Sequence, residues 1–514
     1  MTIREALDCL RSAALLDRAS EVSGAVKDSR VTNVVYDSRK ASPGSIFVAL
    51  RGQHADAADF APQALSRGAS LVVAERERPA GIDSPWIRVP DARLALAHLA
   101  DRHFNHPSGQ IRVVGITGTN GKTTTAYLMR SIFEAAGMPC GLMGTVVYSI
   151  GGEDREATRT TPEAPDVQAM LREMADRSCA AAVMEVSSHA LALKRVDAIE
   201  FGAAVFTNLT RDHLDFHRDM EEYAAAKRRL FEMLPPGAPG VINIDDPRAP
   251  AFRRAAAHAV TYAVKSDADV TARNVSLTLG GLAFEAHTPR GVLQLQSPLV
   301  GRPNVYNALA AAATALALDL PSDAIERGVA KLAGVPGRFQ VVSSAADDVT
   351  VVVDYAHTDD ALRNLLETAR GVAQGRLVTV FGCGGDRDRT KRPLMGAVAA
   401  RLSDVVVVTS DNPRTEDPAA IIEDILRGMP GPVDRVVQNG GARRAVRAPE
   451  VHTVIDRRAA IDQAIEVAQH GDVVIVAGKG HERYQVIGER TLKFDDVEVA
   501  REALARRRAR LRVG

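Results

Sequence analysis

Gly115-Ile116-Thr117-Gly118-Thr119-Asn120-Gly121-Lys122-Thr123-Thr124-Thr125 follows the apolar run Ile111-Arg112-Val113-Val114. A buried strand that empties into a glycine-rich turn and then a helix is the layout of a phosphate-binding loop. Gly118 and Gly121 let the backbone N–H groups around Thr119 and Asn120 close on phosphate oxygens, and the helix N-terminus at Lys122 to Thr124 adds its positive dipole end. Lys122 is placed to reach the terminal phosphates of a bound nucleotide, and the Thr123 hydroxyl to ligate Mg2+. The general pattern puts its first glycine at 116, where this chain has Ile116. Gly115 lies one residue earlier, which marks a variant of the loop.

The 514 residues around this loop, 46% of them hydrophobic, suffice for about three domains, each with its own core. Lys plus Arg (64) equals Asp plus Glu (64), so no overall field favours nucleic acid or a membrane surface, and local cations must catch any anion. Small-molecule partners are expected, and a monomer. Cys9, Cys140, Cys179 and Cys383 are far apart with no C-x-x-C pair, against a zinc site or disulfide framework and for the reducing cytoplasm. Arg4, Glu5, Asp8, Arg11, Asp17 and Arg18 interrupt the first 20 residues, which therefore lack the apolar core of an export signal. Ala308 to Leu318 is far shorter than the roughly 20 residues that span a bilayer and reads as a buried helix, so no membrane insertion is expected.

Short β-rich runs alternate with helical stretches throughout, the pattern of an α/β protein with mainly parallel sheets. In the first segment they are Val31 to Tyr36, Ser45 to Leu50, Ser70 to Val73 and Trp86 to Val89. Ile111 to Thr117, Ala181 to Val186, Ala203 to Asn208 and Gly240 to Ile244 follow, then Val349 to Asp354, Arg376 to Phe381, Asp404 to Thr409 and Asp472 to Ala477. Pro107-Ser108-Gly109 and Gly334-Val335-Pro336-Gly337 punctuate the series. The division expected is an N-terminal α/β substrate domain over 1–107, a central P-loop-type sheet over 108–338 and a dinucleotide-binding-like α/β domain over 339–514. The arginine-rich stretch Arg501 to Gly514 reads as a solvated helix end.

Two further strand ends carry chemistry. Glu185 follows Ala181 to Val183, at the carboxyl edge where open α/β sheets bind ligands, and a carboxylate there can hold a nucleotide's Mg2+. Thr207 to His217 gathers polar side chains after the next strand, and His213 among its acids points to metal or phosphate chemistry. Lys227, in the amphipathic run Glu221 to Phe231, reads on local grounds as a solvated lysine.

Together these motifs resemble the Mur ligase family, the ATP-dependent amide-forming enzymes of peptidoglycan synthesis, over nearly the whole chain. The resemblance implies that Lys227 is carbamylated (N6-carboxylysine) and that Thr123, Glu185, His213 and Lys227 form the Mg2+ shell, with Lys122, Glu185, His213 and Lys227 catalytic. Gly301 to Asn307 and Gly337-Arg338-Phe339 look like the family's nucleotide-contacting segments, through Asn304 and Arg338, and Asp354 would meet the ribose. Tyr36, Ser38, Gln53, His54 and Ala55 match segments that hold the uridine diphosphate end. Thr160, Thr161, Ser187 and Arg195 match the contacts to the muramoyl dipeptide, beside two departures, Arg159 and Leu193, where relatives carry Asn and Gln.

Asp411-Asn412-Pro413-Arg414 resembles the signature of the family's diaminopimelate-adding members. Arg414 would clamp a carboxylate bidentately and be left unpaired facing lysine, giving rejection as well as attraction. Arg387, Gly478 and Glu482 complete that pocket by resemblance, Glu482 taking the distal ammonium. The implied reaction adds meso-diaminopimelate to a UDP-N-acetylmuramoyl dipeptide through an acyl phosphate. The competing readings are the same ligase adding lysine, a folylpolyglutamate synthetase, and an ATP-hydrolysing switch or scaffold protein.

Overall fold

Side chains of the strand Arg112–Thr117 alternate between two apolar clusters, the period-two signature of a strand covered on both faces. Val114 and Ile116 join the helices Lys122–Ala135 and Arg302–Ala317, and Val113 joins Ala164–Asp176 and Met220–Glu232. Such a strand needs parallel neighbours reached by crossovers. The computed structural model, which describes residues 1–16, 24–52, 55–429, 435–439, 442–446 and 448–511, supplies them. Its central sheet runs Val270–Thr278, His258–Ala263, Pro239–Asn243, Phe201–Phe206, Arg112–Thr117, Ala181–Glu185, Cys140–Met143, all parallel. The central and right-hand members of that series, Thr117, Glu185 and Phe206, end on one edge.

Antiparallel hairpins extend both margins of this sheet, Gly281–Thr288 and Gly291–Ser297 on one side, Val147–Ile150 and Glu153–Glu156 on the other. Sequence reading did not anticipate them. The second carries a readable signal, since Gly151-Gly152 turns it with positive φ at both residues. Gly115 proves to belong to the sheet and not to the loop: a Cβ there would lie 2.7 Å from Phe201 Cε1. The expected apolar helix is present as Arg302–Ala317, with Ala308 and Ala310 to Ala313 fully buried.

Two smaller sheets flank the centre in sequence. Val34–Val35, Ile46–Val48, Leu71–Ala74 and Trp86–Arg88 form a parallel sheet in that order. After residue 338, Thr350–Asp354, Val473–Ala477, Leu377–Phe381, Val405–Thr409 and Glu450–Val454 are parallel, with Gln340–Val341 antiparallel on the edge. The stretch after the first sheet is no loose linker, because Pro107 and Ser108 are buried and Ser108 Oγ accepts from Glu200 N at 3.1 Å.

The arginine-rich stretch is a helix end whose Arg501, Arg506 and Arg510 are exposed, as read, but two of its arginines are tied down. Within the helix Asp496–Leu511, Arg507 pairs with Asp348 at 2.7 Å and Arg508 with Asp347 at 2.9 Å, lashing the helix to the loop before Thr350–Asp354. Among the described residues no helix is long and apolar enough to cross a membrane.

Candidate active site

Both loop glycines are dictated by space. A Cβ on Gly118 (φ 148°) would sit 1.9 Å from Thr207 Oγ1, and one on Gly121 (φ 88°) 2.3 Å from Asn307 Oδ1. The loop is braced from the neighbouring strand end: Asn120 N donates to Asn208 Oδ1 at 2.9 Å, and Thr207 Oγ1 to Asn120 O at 2.7 Å. Lys122 folds over its own turn, donating to Gly118 O at 3.0 Å and Thr119 O at 2.9 Å. Desolvation lowers its pKa.

Lys227 is not the solvated lysine that its helix suggested. Only 1% exposed, it donates to Gly118 O at 2.7 Å beneath the loop and lies 4.6 Å from the Tyr223 ring centroid. Desolvation first, then the Lys122 charge, push its pKa well below the ordinary lysine value. No local pattern distinguishes it, since the burial comes from helix Met220–Glu232 docking under a loop about a hundred residues earlier.

A cavity of about 270 Å³ opens over the loop, lined by Thr119, Asn120, Gly121, Lys122, Thr123 and Thr124 with Glu185, His213, Asn304, Arg338 and Asp354. Arg338 Nη2 donates to Thr123 Oγ1 at 3.1 Å, its guanidinium 4.7 Å from the Tyr355 ring centroid. Asn304 Nδ2 donates to Val300 O at 2.8 Å. Asp354 accepts from Phe339 N at 2.6 Å and Ala356 N at 2.8 Å, and desolvation raises its pKa. Glu185, 1% exposed, accepts from Thr145 N at 2.8 Å and Thr145 Oγ1 at 3.1 Å.

Next to Glu185 stand the expected dipeptide contacts. Thr160 Oγ1 meets Thr145 Oγ1 at 3.0 Å, and Thr161 Oγ1 donates to Glu185 O at 2.8 Å. Ser187 N donates to Thr161 Oγ1 at 3.1 Å, and Arg195 donates to Thr161 O at 3.0 Å and pairs with Glu163 at 2.8 Å. Arg159 adds a second cation on Glu163, at 3.3 Å, while Leu193 caps the short helix Ser188–Ala192. Of the uridine-end residues, Tyr36, Ser38 and Ala55 line neither cavity. Tyr36 donates to Asp166 at 3.0 Å and Ser38 to Gln63 at 2.7 Å, Ala55 is exposed, and Gln53 and His54 lie outside the described residues.

A second cavity of about 480 Å³ is lined by Arg387, Asp411, Asn412, Arg414, Gly478 and Glu482. These come from the loops after Leu377–Phe381, Val405–Thr409 and Val473–Ala477, three parallel strands that end on one edge. Pro413 sits behind the wall, where a Cβ on Gly385 would lie 1.9 Å from its carbonyl oxygen. Arg414 has left-handed backbone (φ 52°) and donates to Gly385 O at 2.7 Å. Arg387 donates to Asp386 O at 3.1 Å, and Asn412 Nδ2 to Glu482 Oε2 at 2.9 Å. Desolvation, then the Asp411 charge, raise the Glu482 pKa. Cys383 is a packing residue, 3.6 Å from Met395 Sδ, its thiol pushed up to about 12 by burial.

Asp212, His213, Tyr355, His357 and Thr358 line both cavities, so a phosphate in one and an amine in the other would meet there. Sequence reading singled out His213 but not Asp212, nor Thr145, which orients Glu185. Asp212 Oδ2 is 3.3 Å from His213 Nε2, and desolvation brings His213 down to about 4. Acid residues in a loop after a strand were the available signal for Asp212; Thr145 had none.

Mg2+ takes oxygen ligands, commonly one or two carboxylates completed by phosphates and water. Glu185, Asp212 and the Thr123 hydroxyl line one cavity and suit that ion. Among the described residues no three His, Cys, Asp or Glu side chains cluster as a metal-holding set, so an ion here leans on the nucleotide's own oxygens.

The comparisons with known proteins agree across the chain. A Mur ligase family catalytic-domain model matches residues 30–104, a Mur ligase middle-domain model 116–315, and a Mur ligase glutamate-ligase-domain model 337–480. The chain is 45% identical over 505 residues to UDP-N-acetylmuramoyl-L-alanyl-D-glutamate–2,6-diaminopimelate ligase of Gloeobacter violaceus, covering 98% of this chain and 100% of that one. Identity to the ligase of the same name from Solibacter usitatus is 47% over 484 residues, 93% and 94% of the two chains. A solved structure of a ligase so named superposes with a TM-score of 0.68 at 34% identity, covering 99% of each chain.

Proposed function

The chain belongs to the Mur ligase family, and from that premise we propose that it is an ATP-dependent ligase joining meso-diaminopimelate to UDP-N-acetylmuramoyl-L-alanyl-D-glutamate in peptidoglycan synthesis. The observation that carries this reading is the shared wall: the cavity over the phosphate loop and the cavity bearing Arg414 and Glu482 adjoin through Asp212, His213 and His357. The segments 1–107, 108–338 and 339–514 take the sugar nucleotide, ATP and the amino acid respectively. ATP, free thiols and small soluble substrates suit a cytoplasmic monomer.

A free γ-carboxylate oxygen of the D-glutamate attacks the γ-phosphorus, the bond to the β-bridging oxygen breaks, and ADP leaves. The diaminopimelate nitrogen then attacks the acyl carbon, loses a proton, and expels phosphate that retains one oxygen of the original carboxylate. The phosphate loop and Lys122 hold the triphosphate, and Asn304, Arg338 and Asp354 flank the rest of the nucleotide. Glu185, Thr123, Asp212 and His213 border the place where Mg2+ would sit, its shell completed by the nucleotide's own oxygens, and when bound it would offset phosphate charge and orient the transferred group. Lys227, whose pKa burial brings well below the ordinary lysine value, is suited to capture CO2 as a carbamate, and the buried site beneath Gly118 supports that modification.

Thr160, Thr161, Ser187 and Arg195 face the dipeptide, with Tyr36, Ser38, Gln53, His54 and Ala55 toward the uridine diphosphate. Arg387 and Arg414 receive the carboxylate of diaminopimelate's distal centre, and Glu482 its ammonium, with Asp411, Asn412, Pro413 and Gly478 shaping the wall. The test is phosphate release with each substrate omitted in turn, using dipeptide whose γ-carboxylate carries oxygen-18. Release requires both the dipeptide and diaminopimelate, and one heavy oxygen appears in the phosphate. Release without the amino acid, or phosphate free of label, defeats the reading.

A further inference from the structure

Lys479 is fully buried, with an ammonium that reaches four partners in the amino-acid cavity's wall. Nζ donates to Asn412 Oδ1 and to Tyr484 O, each at 2.8 Å, and lies 3.2 Å from Asp411 Oδ1 and 3.6 Å from Glu482 Oε2. A buried ammonium is costly unless paired, so this one holds its partners in place as firmly as they hold it.

Three consequences follow from those contacts. Asn412 cannot flip its amide, because an NH2 group would then face the ammonium and the Val486 N–H, which donates to the same Oδ1 at 3.0 Å. Its Nδ2 is thereby aimed at Glu482 Oε2. The bond to Tyr484 O ties in the hairpin Tyr484–Ile487 and Arg490–Lys493, which fixes Arg414 through Arg414 N to Val486 O at 3.1 Å and Gly488 N to Arg414 O at 2.7 Å. Gln485 Nε2, donating to Asp411 O at 2.7 Å, is a further tie between hairpin and loop.

Charge completes the case. Arg457, behind the wall, is neutralised by Asp496 at 2.7 Å, so the Asp411 and Glu482 carboxylates with one Lys479 leave a single negative charge. Arg387 and Arg414 stand in the same cavity. That pattern suits a ligand end bearing one ammonium and one carboxylate.

Resting on the functional reading above, we propose that Lys479 is a positioning residue for amino-acid selection, locking the Asp411–Arg414 loop to the Tyr484–Lys493 hairpin and setting the wall's net charge. The experiment is steady-state kinetics of the full chain with diaminopimelate, lysine and ATP varied in turn, for wild type, Lys479→Met and Gln485→Met. Lys479→Met raises KM for diaminopimelate about 10- to 100-fold and cuts its preference over lysine at least about tenfold, with KM for ATP within about twofold. Gln485→Met, which keeps the charge and loses one tie, shows the same split at about 3- to 10-fold.

Circular dichroism and thermal unfolding report whether each variant folds; if Lys479→Met does not, the Gln485→Met split decides alone. A folded variant with unchanged diaminopimelate KM and selectivity, or with ATP and diaminopimelate KM rising together, overturns the positioning role while wild-type turnover leaves the functional reading standing. A wild-type protein indifferent to diaminopimelate overturns that reading, and this assignment with it.

Discussion

The nucleotide cavity takes its phosphate-facing groups from one contiguous stretch, Thr119 to Thr124, whereas the amino-acid cavity collects Arg387, Arg414 and Glu482 from loops after three different strands. Their electrostatics differ to match. Around the phosphate loop Lys122 and Arg338 gather positive charge, which suits a polyanion. In the other cavity Arg387 and Arg414 stand with Asp411 and Glu482, cations and carboxylates together, as a zwitterion requires. A site for a phosphate chain can therefore be written into a few residues, while a site that discriminates between amino acids depends on strand register.

The largest effect that would test this contrast is on the contiguous side. Lys122→Ala should lower phosphate release by about 10³-fold or more, because the group opposes charge on the transferring phosphoryl. Diaminopimelate binding, measured by calorimetry, should change little. A large loss of amino-acid affinity in that variant would show that the two cavities are not built independently.

On the dispersed side, Arg414→Ala should reduce kcat/KM for diaminopimelate about 100- to 1000-fold while leaving ATP affinity intact. Turnover with lysine should fall far less, since lysine has no distal carboxylate to lose. Unaltered turnover with diaminopimelate would remove Arg414 from the pocket.

The same contrast governs what could be read from the residues. The phosphate loop, its strand and helix, and twelve of the sixteen parallel strands among the described residues were legible, because glycine spacing and apolar runs are local signals, whereas Cys140–Met143, His258–Ala263, Val270–Thr278 and Glu450–Val454 went unread. Glu185 and His213 were legible as polar residues just after strand ends. Asp212 was passed over beside His213, and Thr145 carries no mark of its role in orienting Glu185. The hairpin Tyr484–Lys493 went unread although it fixes Arg414, since its effect lies in backbone bonds to a loop some seventy residues away. Of the stretch read as a solvated helix end, Arg501, Arg506 and Arg510 are exposed, but the pairing of Arg507 and Arg508 was missed because their acidic partners, Asp348 and Asp347, are remote in sequence.

Lys227 sits between the two cases, a residue in the cation-rich half whose burial is set by tertiary packing. Lys227→Ala should cost about 100-fold in turnover, and short carboxylates such as formate or acetate should restore part of it by supplying the oxygen ligand of the lost carbamate. Mass spectrometry of the intact wild-type protein in bicarbonate should show the added CO2. Full activity without added acid would leave Lys227 as a buried packing amine.

The smallest effect concerns the contact between the two halves. His481 borders Tyr355, ring centroids 5.0 Å apart, and its Nδ1 is buried without a partner. Desolvation first, then the Arg338 charge, bring its pKa from an ordinary 6.5 to about 3. Between those values the unfolded chain takes up a proton that the folded protein refuses, so this residue costs stability progressively as pH falls below about 6.5 and is neutral above it. His481→Gln should therefore flatten the decline of the unfolding midpoint between pH 6.5 and 4.5 and leave the midpoint at pH 8 nearly unchanged. An equal shift at both pH values would mean that the ring matters through packing against Tyr355, and that the seam between the cavities is insensitive to His481 protonation.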